Sequence, residues 1–311
     1  MSNTSPRSKG WLKDLPDFRD LTEQSASVTE KQAQKGIKTP VKELMQKLSK
    51  RAAAAKKTDN SHVDLRKWCS PIEQQGNLSS CTAHATVSLY EYFEKRAYGK
   101  HIEGSRLFQY KATRNLLKTT ADQGAYLRTA MASLALFGVV PEKYWPYKEE
   151  NVNVEPSAFL YSFAQNFQAL SYYRLDAPGT SRTDLLARIK DHLFKGLPCV
   201  FGFTCYTSLD HAKDGKIPFP GHREEADGGH AVMAVGYDDS IKITNPISKT
   251  KDNKSITTTG AILIRNSWGT DWGENGYGWL PYDFVLKGIA DDWWTMTRGE
   301  WIDTNQFGLP G

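Results

Sequence analysis

Residues 71–96 read PIEQQGNLSSCTAHATVSLYEYFEKR, a polar, glycine-bearing segment that runs directly into Cys81 and then into helical periodicity. Ala83, Val87 and Tyr90 form one stripe with Leu89 and Phe93 beside it, so the spacing predicts a helix over 81–98. Cys81 would then begin that helix, where the aligned amides favour negative charge and lower a thiol's pKa. It is a candidate nucleophile and, equally, a candidate small core residue. A nucleophile needs a base, and the chain has seven histidines. His84 is three residues away, but its ring would have to fold back over the helix terminus, where a substrate would approach.

Moving outward, SRLFQYKATRNLL (105–117) and AYLRTAMASLALFG (125–138) read as further helices, the second closed by Gly138. Another is expected over 181–195, stopped by Gly-Leu-Pro. The pattern then changes to strand in CVFGFTCY, HAVMAVGYD, GAILIRNSWG and GYGWLPYDFV, with the polar insert 245–260 expected as a loop between two strands. Helices first and strands second predict an α+β protein of two lobes.

His230, in DGGHAVMAVGYDD, heads an apolar run that has to be a buried strand, behind two glycines that permit close backbone approach. It is the better-placed base. Asn266 ends the next predicted strand, where its amide can orient an imidazole, and Trp268 can shield that hydrogen bond from water. Gln75 lies six residues before Cys81 and can join the Cys81 N–H as an oxyanion donor; Gln74 is its rival, but Gln75 adjoins the glycine.

Taken together, in the order Gln–Cys–His–Asn, these residues resemble the papain-like cysteine peptidases. QGNLSSC (75–81) is similar to the family's approach to the nucleophile, GGHAVMAVGYD (228–238) to its histidine strand, and RNSWGTDWGENGYGW (265–279) to its asparagine block. DQGAYLRTAMASLALFGVVPEKYWPY (122–147) resembles its glycine-bearing cleft segment. The resemblance spans roughly 62–300. It implies a papain-like fold: a helical lobe carrying Cys81, an antiparallel β-barrel-like lobe carrying His230 and Asn266, and a cleft between them. It further implies Cys81 as nucleophile, His230 as general acid/base, Asn266 as orienter and Gln75 as oxyanion donor. Gly124, Ala125, Tyr126, Gly228, Gly229 and Trp268 would line the substrate path, with an extended peptide along Gln123–Tyr126.

Four positions depart from the family pattern. Thr82 replaces a tryptophan, within a Ser-Ser-Cys-Thr-Ala-His-Ala run similar to prokaryote-like members. Leu78 stands where a disulfide-bonded cysteine is usual. The paired glycines of the cleft segment are Gly124-Ala125, and Gly229 replaces the acidic residue of some members.

Composition limits the remaining classes. The net charge of +5 belongs to residues 1–60, which hold 13 Lys/Arg against 7 Asp/Glu; the other 251 residues are near neutral. The basic segment offers no base-reading geometry, so no nucleic-acid partner is expected. Met1–Gly10 is polar with no apolar run behind it, and no stretch approaches the ~18 apolar residues of a membrane helix. No membrane partner and a cytoplasmic location are therefore expected. Cys69, Cys81, Cys199 and Cys205 include no CxxC pair, and Cys199 and Cys205 share a predicted strand too extended for a bridge. Reduced thiols and no metal or other cofactor are expected.

The chain is read as a basic extension over 1–61 and a catalytic domain over 62–311, a monomer acting on a peptide or protein. Thr39-Pro40 opens a helix with Val41, Leu44, Met45 and Leu48 on one face. The extension would restrain the cleft as a zymogen segment, with release by cleavage near Lys56–Asn60. The alternatives to a peptidase are an acyl or peptidyl transferase with the same triad, and an inactive binding module of the same fold.

Overall fold

The computed structural model describes residues 8–54, 60–299 and 302–303. The elements, in chain order, are β1 (Trp11–Leu12), α1 (Glu30–Gln34), α2 (Val41–Ala54), β2 (His62–Asp64), α3 (Cys81–Tyr98), α4 (Arg106–Leu116), β3 (Ala125–Tyr126) and α5 (Leu127–Leu136). There follow α6 (Ala158–Ala164), β4 (Ala169–Arg174), α7 (Arg182–Phe194), β5 (Cys199–Tyr206), β6 (Ala226–Lys249), β7 (Ser255–Arg265), β8 (Tyr277–Pro281), α8 (Asp283–Leu286), β9 (Ala290–Gly299) and β10 (Ile302–Asp303).

Helix α3 is the spine of the helical lobe. It is buried on nearly every face, and Gly99 closes it in the left-handed conformation that a side chain resists (φ 71°). Ser105 caps α4 by accepting from the Phe108 N–H (3.1 Å), and Ser181 caps α7 by accepting from the Asp184 N–H (3.1 Å). Inside the lobe, Arg106 and Glu91 form a fully buried ion pair at 2.7 Å. Glu91 also accepts from Ser70 Oγ and the Gly104 N–H, so the carboxylate is compensated on several sides.

The second lobe is built on an eight-stranded sheet ordered β10-β9-β5-β6-β7-β8, with β2 added to β6 and β4 to β9. Every strand pair in it is antiparallel. Among the described residues the sheet stays open, so the lobe is barrel-like only in its curvature. Register shifts on β6 and β7, between Ala234 and Gly236 and between Asp238 and Lys242, bend it.

The insert at 245–260 differs from the expected loop. β6 and β7 continue through it as a hairpin, with a turn left only between Lys249 and Ser255. Its threonines are β-branched and pair across the ladder, Thr244 with Thr257 at 2.9 Å. Polarity suggested a loop; the two-residue period of a solvated strand is equally polar.

The extension is woven into both lobes. Thr29 and Gln32 form a reciprocal cap for α1, and Gln32 then reaches Ser171 on β4. Val41, Leu44, Met45 and Leu48 of α2 are buried, with Met45 sulfur 3.2 Å from the Tyr173 hydroxyl. Arg128 pairs with Asp14 and Asp20, and Arg188 with Glu23. Residues 55–59, most of the expected cleavage stretch, lie outside the described residues; Asn60 is exposed. Among the described residues no helix is long and apolar enough to cross a membrane.

Candidate active site

Cys81 is the first residue of α3 and is completely buried. Its thiol accepts from the Ala231 N–H at 3.4 Å, which brings the start of α3 against β6 one residue past His230. Burial pushes the thiol up to about 12, while the amides of Ala231, Gly10, Thr82 and Cys81 itself pull it down.

His230 sits at the cleft end of β6 and is also fully buried. Its Nε2 lies 2.7 Å from Asn266 Oδ1. Asn266 Oδ1 also accepts from the Ser267 N–H (2.8 Å), so the amide is turned with its oxygen toward the ring. An amide oxygen can only accept, so His230 carries its proton on Nε2 and keeps the lone pair on Nδ1. Among the described residues that Nδ1 has no hydrogen-bond partner. Trp268 stacks on the imidazole, centroids 4.3 Å apart and planes 19° apart, and closes the Asn266 side of the ring to water. Burial lowers His230 to about 4, against the raising effect of the Asn266 bond.

Gln75 is buried and oriented from both ends. Its Oε1 accepts from Ser267 Oγ (2.7 Å), which directs Nε2 toward Leu78 O and the cleft. Gln74 instead bridges to Trp268 and sits against Gly269. Ser267 is a residue the sequence reading missed, although it lies inside the quoted asparagine block.

His84 is held elsewhere. Its Nδ1 is 3.1 Å from Ser80 O, its ring packs edge-on against Tyr147, and burial takes it down to about 3. Tyr147 is a second missed residue: its hydroxyl donates to Gln75 O (2.8 Å) and lies 2.7 Å from Ser80 Oγ. It ties the loop before Cys81 to the end of the 122–147 segment. Ser80 therefore spends its side chain on Tyr147 and His84 and makes no cap to α3.

The cleft is occupied by the chain itself. Gly10 donates to Gly229 O (3.0 Å) and accepts from the Ala125 N–H (2.8 Å), and β1 runs parallel to β3 in the register Trp11–Ala125, Leu12–Tyr126. Ser8 O accepts from Gln75 Nε2 (3.1 Å) and from Trp268 Nε1 (3.3 Å). Lys9 forms an ion pair with Asp227 beside Gly228. The fit is close: a Cβ on Gly10 would stand 2.0 Å from Ser79 O, and one on Gly124 2.0 Å from Gly10 O. The sequence placed a peptide along Gln123–Tyr126, and the segment found there is residues 9–12.

Trp11 fills a pocket on the sheet lobe. Its side chain is buried against Gly202 and Gly229, with Nε1 donating to Asp292 Oδ2 at 3.1 Å. Nothing in the sequence reading singled out Asp292; a pair of aspartates before Trp-Trp carries no spacing signal. Among the described residues no cluster of His, Cys, Asp or Glu is arranged to hold a metal ion. All four cysteines are free.

The papain family cysteine protease model matches residues 59–292. An uncharacterized peptidase C1-like protein of Acanthamoeba polyphaga mimivirus is 30% identical over 307 residues, covering 95% of this chain and 88% of the viral one. Chymopapain of Carica papaya is 25% identical over 219 residues, 67% of this chain and 50% of the plant protein. Among solved structures, xylellain, a cysteine protease from Xylella fastidiosa, superposes with a TM-score of 0.67 at 28% identity, covering 95% of this chain and 98% of that one. The bromelain protease from Ananas comosus, at 18% identity and a TM-score of 0.52 over 76% of this chain, shares the fold. With the family model matched across both lobes, the chain belongs to the papain family of cysteine proteases and is a cysteine peptidase.

Proposed function

We propose that the chain hydrolyses peptide bonds through an acyl-enzyme on Cys81, acting as a cytoplasmic monomer without a cofactor. The observation that supports this reading best is the pairing of the His230–Asn266 bond at 2.7 Å with the Ala231 amide on Cys81 Sγ. In the first step the His230 Nδ1 lone pair takes the thiol proton, and the thiolate forms a bond to the scissile carbonyl carbon. The oxyanion that develops is held by Gln75 Nε2 and the Cys81 N–H. His230 returns the proton to the amine as the C–N bond breaks. Water, deprotonated by the same nitrogen, then cleaves the thioester. Asn266 keeps the imidazole turned, and Trp268 keeps water off that bond.

In this reading residues 1–61 are a restraining extension on a catalytic domain over 62–311, and the folded chain is the closed, zymogen form. Ser8 O takes the Gln75 donor that a scissile carbonyl needs, and the Gly10 backbone lies beside the thiol. Residues 8–12 do the covering; α2 packs away against Tyr173.

The test is to incubate the full chain and its Cys81→Ala variant with a mixed peptide library and read the products by mass spectrometry. Cleaved peptides from the wild type alone support the reading. Products joined to an added amine would make the chain a transferase. No turnover, together with no alkylation of Cys81, would make it a binding module.

A further inference from the structure

The proposed hydrolysis gives His84 no part, yet its ring is buried at the start of α3 and its hydrogen bonds lead toward both oxyanion donors. The direction of each bond is set by its acceptor. A main-chain carbonyl can only accept, so His84 Nδ1, 3.1 Å from Ser80 O, donates whatever the charge on the ring. The Tyr147 hydroxyl spends its one proton on Gln75 O (2.8 Å), so across their 2.7 Å contact Ser80 Oγ donates to Tyr147. Ser80 Oγ also lies 3.3 Å from the same His84 nitrogen, within reach of its proton. The chain of donors therefore runs from His84 through Ser80 and Tyr147 to the Gln75 carbonyl.

Ser80 O and the Cys81 N–H belong to one planar trans peptide and point from its opposite edges, so fixing the carbonyl fixes the direction of the amide. Ser80 has φ −97° and ψ 15°, in the bridge region, and ψ is the angle that turns this peptide. The Ala83 and His84 N–H groups also donate to Ser80 O, at 3.0 and 3.1 Å, and the imidazole completes the hold. Between the two ends of the loop, the Asn77 and Ser79 N–H groups are fixed by Glu149 (2.9 Å) and Asp122 (3.0 Å).

Resting on the peptidase reading, we infer that His84 is a positioning residue for the oxyanion donors: through Ser80 O it aims the Cys81 N–H, and through Ser80 Oγ and Tyr147 it seats the main chain of Gln75. It touches no substrate and takes no proton. Its effect falls on charge that develops only in the transition state, hence on kcat and not on KM.

The experiment takes the full chain carrying Trp11→Ala, which loosens the cover, as parent, and measures kcat, KM and melting temperature on a short peptide. His84→Phe keeps the ring volume and loses the donor; kcat should fall about tenfold to a hundredfold, short of losing a donor outright, with KM changed by less than about twofold. In His84→Asn the amide N–H replaces Nδ1 as donor to Ser80 O, so most of kcat should return although the smaller side chain leaves more empty space. Packing alone predicts the reverse order, phenylalanine above asparagine. Tyr147→Phe should also lower kcat, and the double variant with His84→Phe should lose less than the product of the two single losses, because both break one chain of bonds. A kcat for His84→Phe within about twofold of the parent, asparagine below phenylalanine, or KM rising in step with the fall in kcat would overturn the inference and leave the peptidase reading standing. If His84→Phe fails to fold, an unchanged kcat in Tyr147→Phe overturns it. No hydrolysis by the parent would overturn both.

Discussion

At the scale of single residues, Cys81 is drawn two ways. The start of a helix and the Ala231 and Gly10 amides favour the thiolate, while complete burial under the extension opposes it and prevails, leaving the thiol at about 12. A raised thiol pKa means the neutral form holds across the physiological range. Alkylation of Cys81 in the intact chain should therefore be slow at pH 7 and rise roughly tenfold per pH unit toward about 12. Iodoacetamide labelling against pH checks this, and a plateau near neutrality would contradict it. For the uncovered enzyme, Gln75→Ala should lower kcat by about 10²–10³-fold, the usual range for one oxyanion donor. Asn266→Ala should also lower kcat, with little change in KM, because it acts on the imidazole and not on substrate. Steady-state kinetics on a short peptide separates the two effects.

At the scale of elements, the covering strand is held by main-chain bonds and one large side chain. Trp11→Ala removes the indole, its packing against Gly202 and Gly229, and its bond to Asp292. Burial of an aromatic of this size is worth about 3–5 kcal/mol in a core, so residues 8–12 should detach readily in the variant. The expected outcome is faster labelling of Cys81 at pH 7 by at least tenfold, with an unchanged far-ultraviolet spectrum. The main helices and the core of the sheet were legible because their apolar periods run over several turns or pleats: 81–98, 181–195 and β5 lie within a few residues of their expected positions, whereas β6 runs well past its expected end and β9 was not expected. The hairpin at 245–260 was not legible, because a solvated strand and a polar loop have the same composition. The pairing partners of the two-residue strand β1 were not legible either. Its existence depends on Gly10 meeting Gly229 and Ala125, which lie more than a hundred residues away.

At the scale of the molecule, the extension and both lobes meet in a buried charge network. Arg174 pairs with Asp176 and Asp292, lies 3.8 Å from Asp20, and donates to Asp14 O. Its backbone N–H donates to Leu21 O, which ties β4 to the extension. Removing one partner from such a group leaves the others buried without compensation, at a cost of about 3–5 kcal/mol. Arg174→Ala should lower the melting temperature and at the same time loosen the extension. Thermal unfolding and Cys81 labelling on the same sample check both effects. A fall in stability with labelling unchanged would separate the network from the cover.

The sequence by itself determined the two-lobe α+β order and marked Cys81, His230, Asn266 and Gln75 as candidates, which the resemblance to the papain-like family joined into one expected site in preference to His84. Those follow from local causes: helix starts, strand ends and glycines act over a few residues, and side-chain types with narrow chemistry are few. Tertiary structure alone decided that residues 8–12 lie across Cys81, that Trp11 occupies a pocket floored by Asp292, and that Ser267 and Tyr147 hold the loop that carries the nucleophile. Each of these joins residues 67 to 281 positions apart. Chain closure over such distances is directed by the packing of whole lobes, and no local pattern of residues records it.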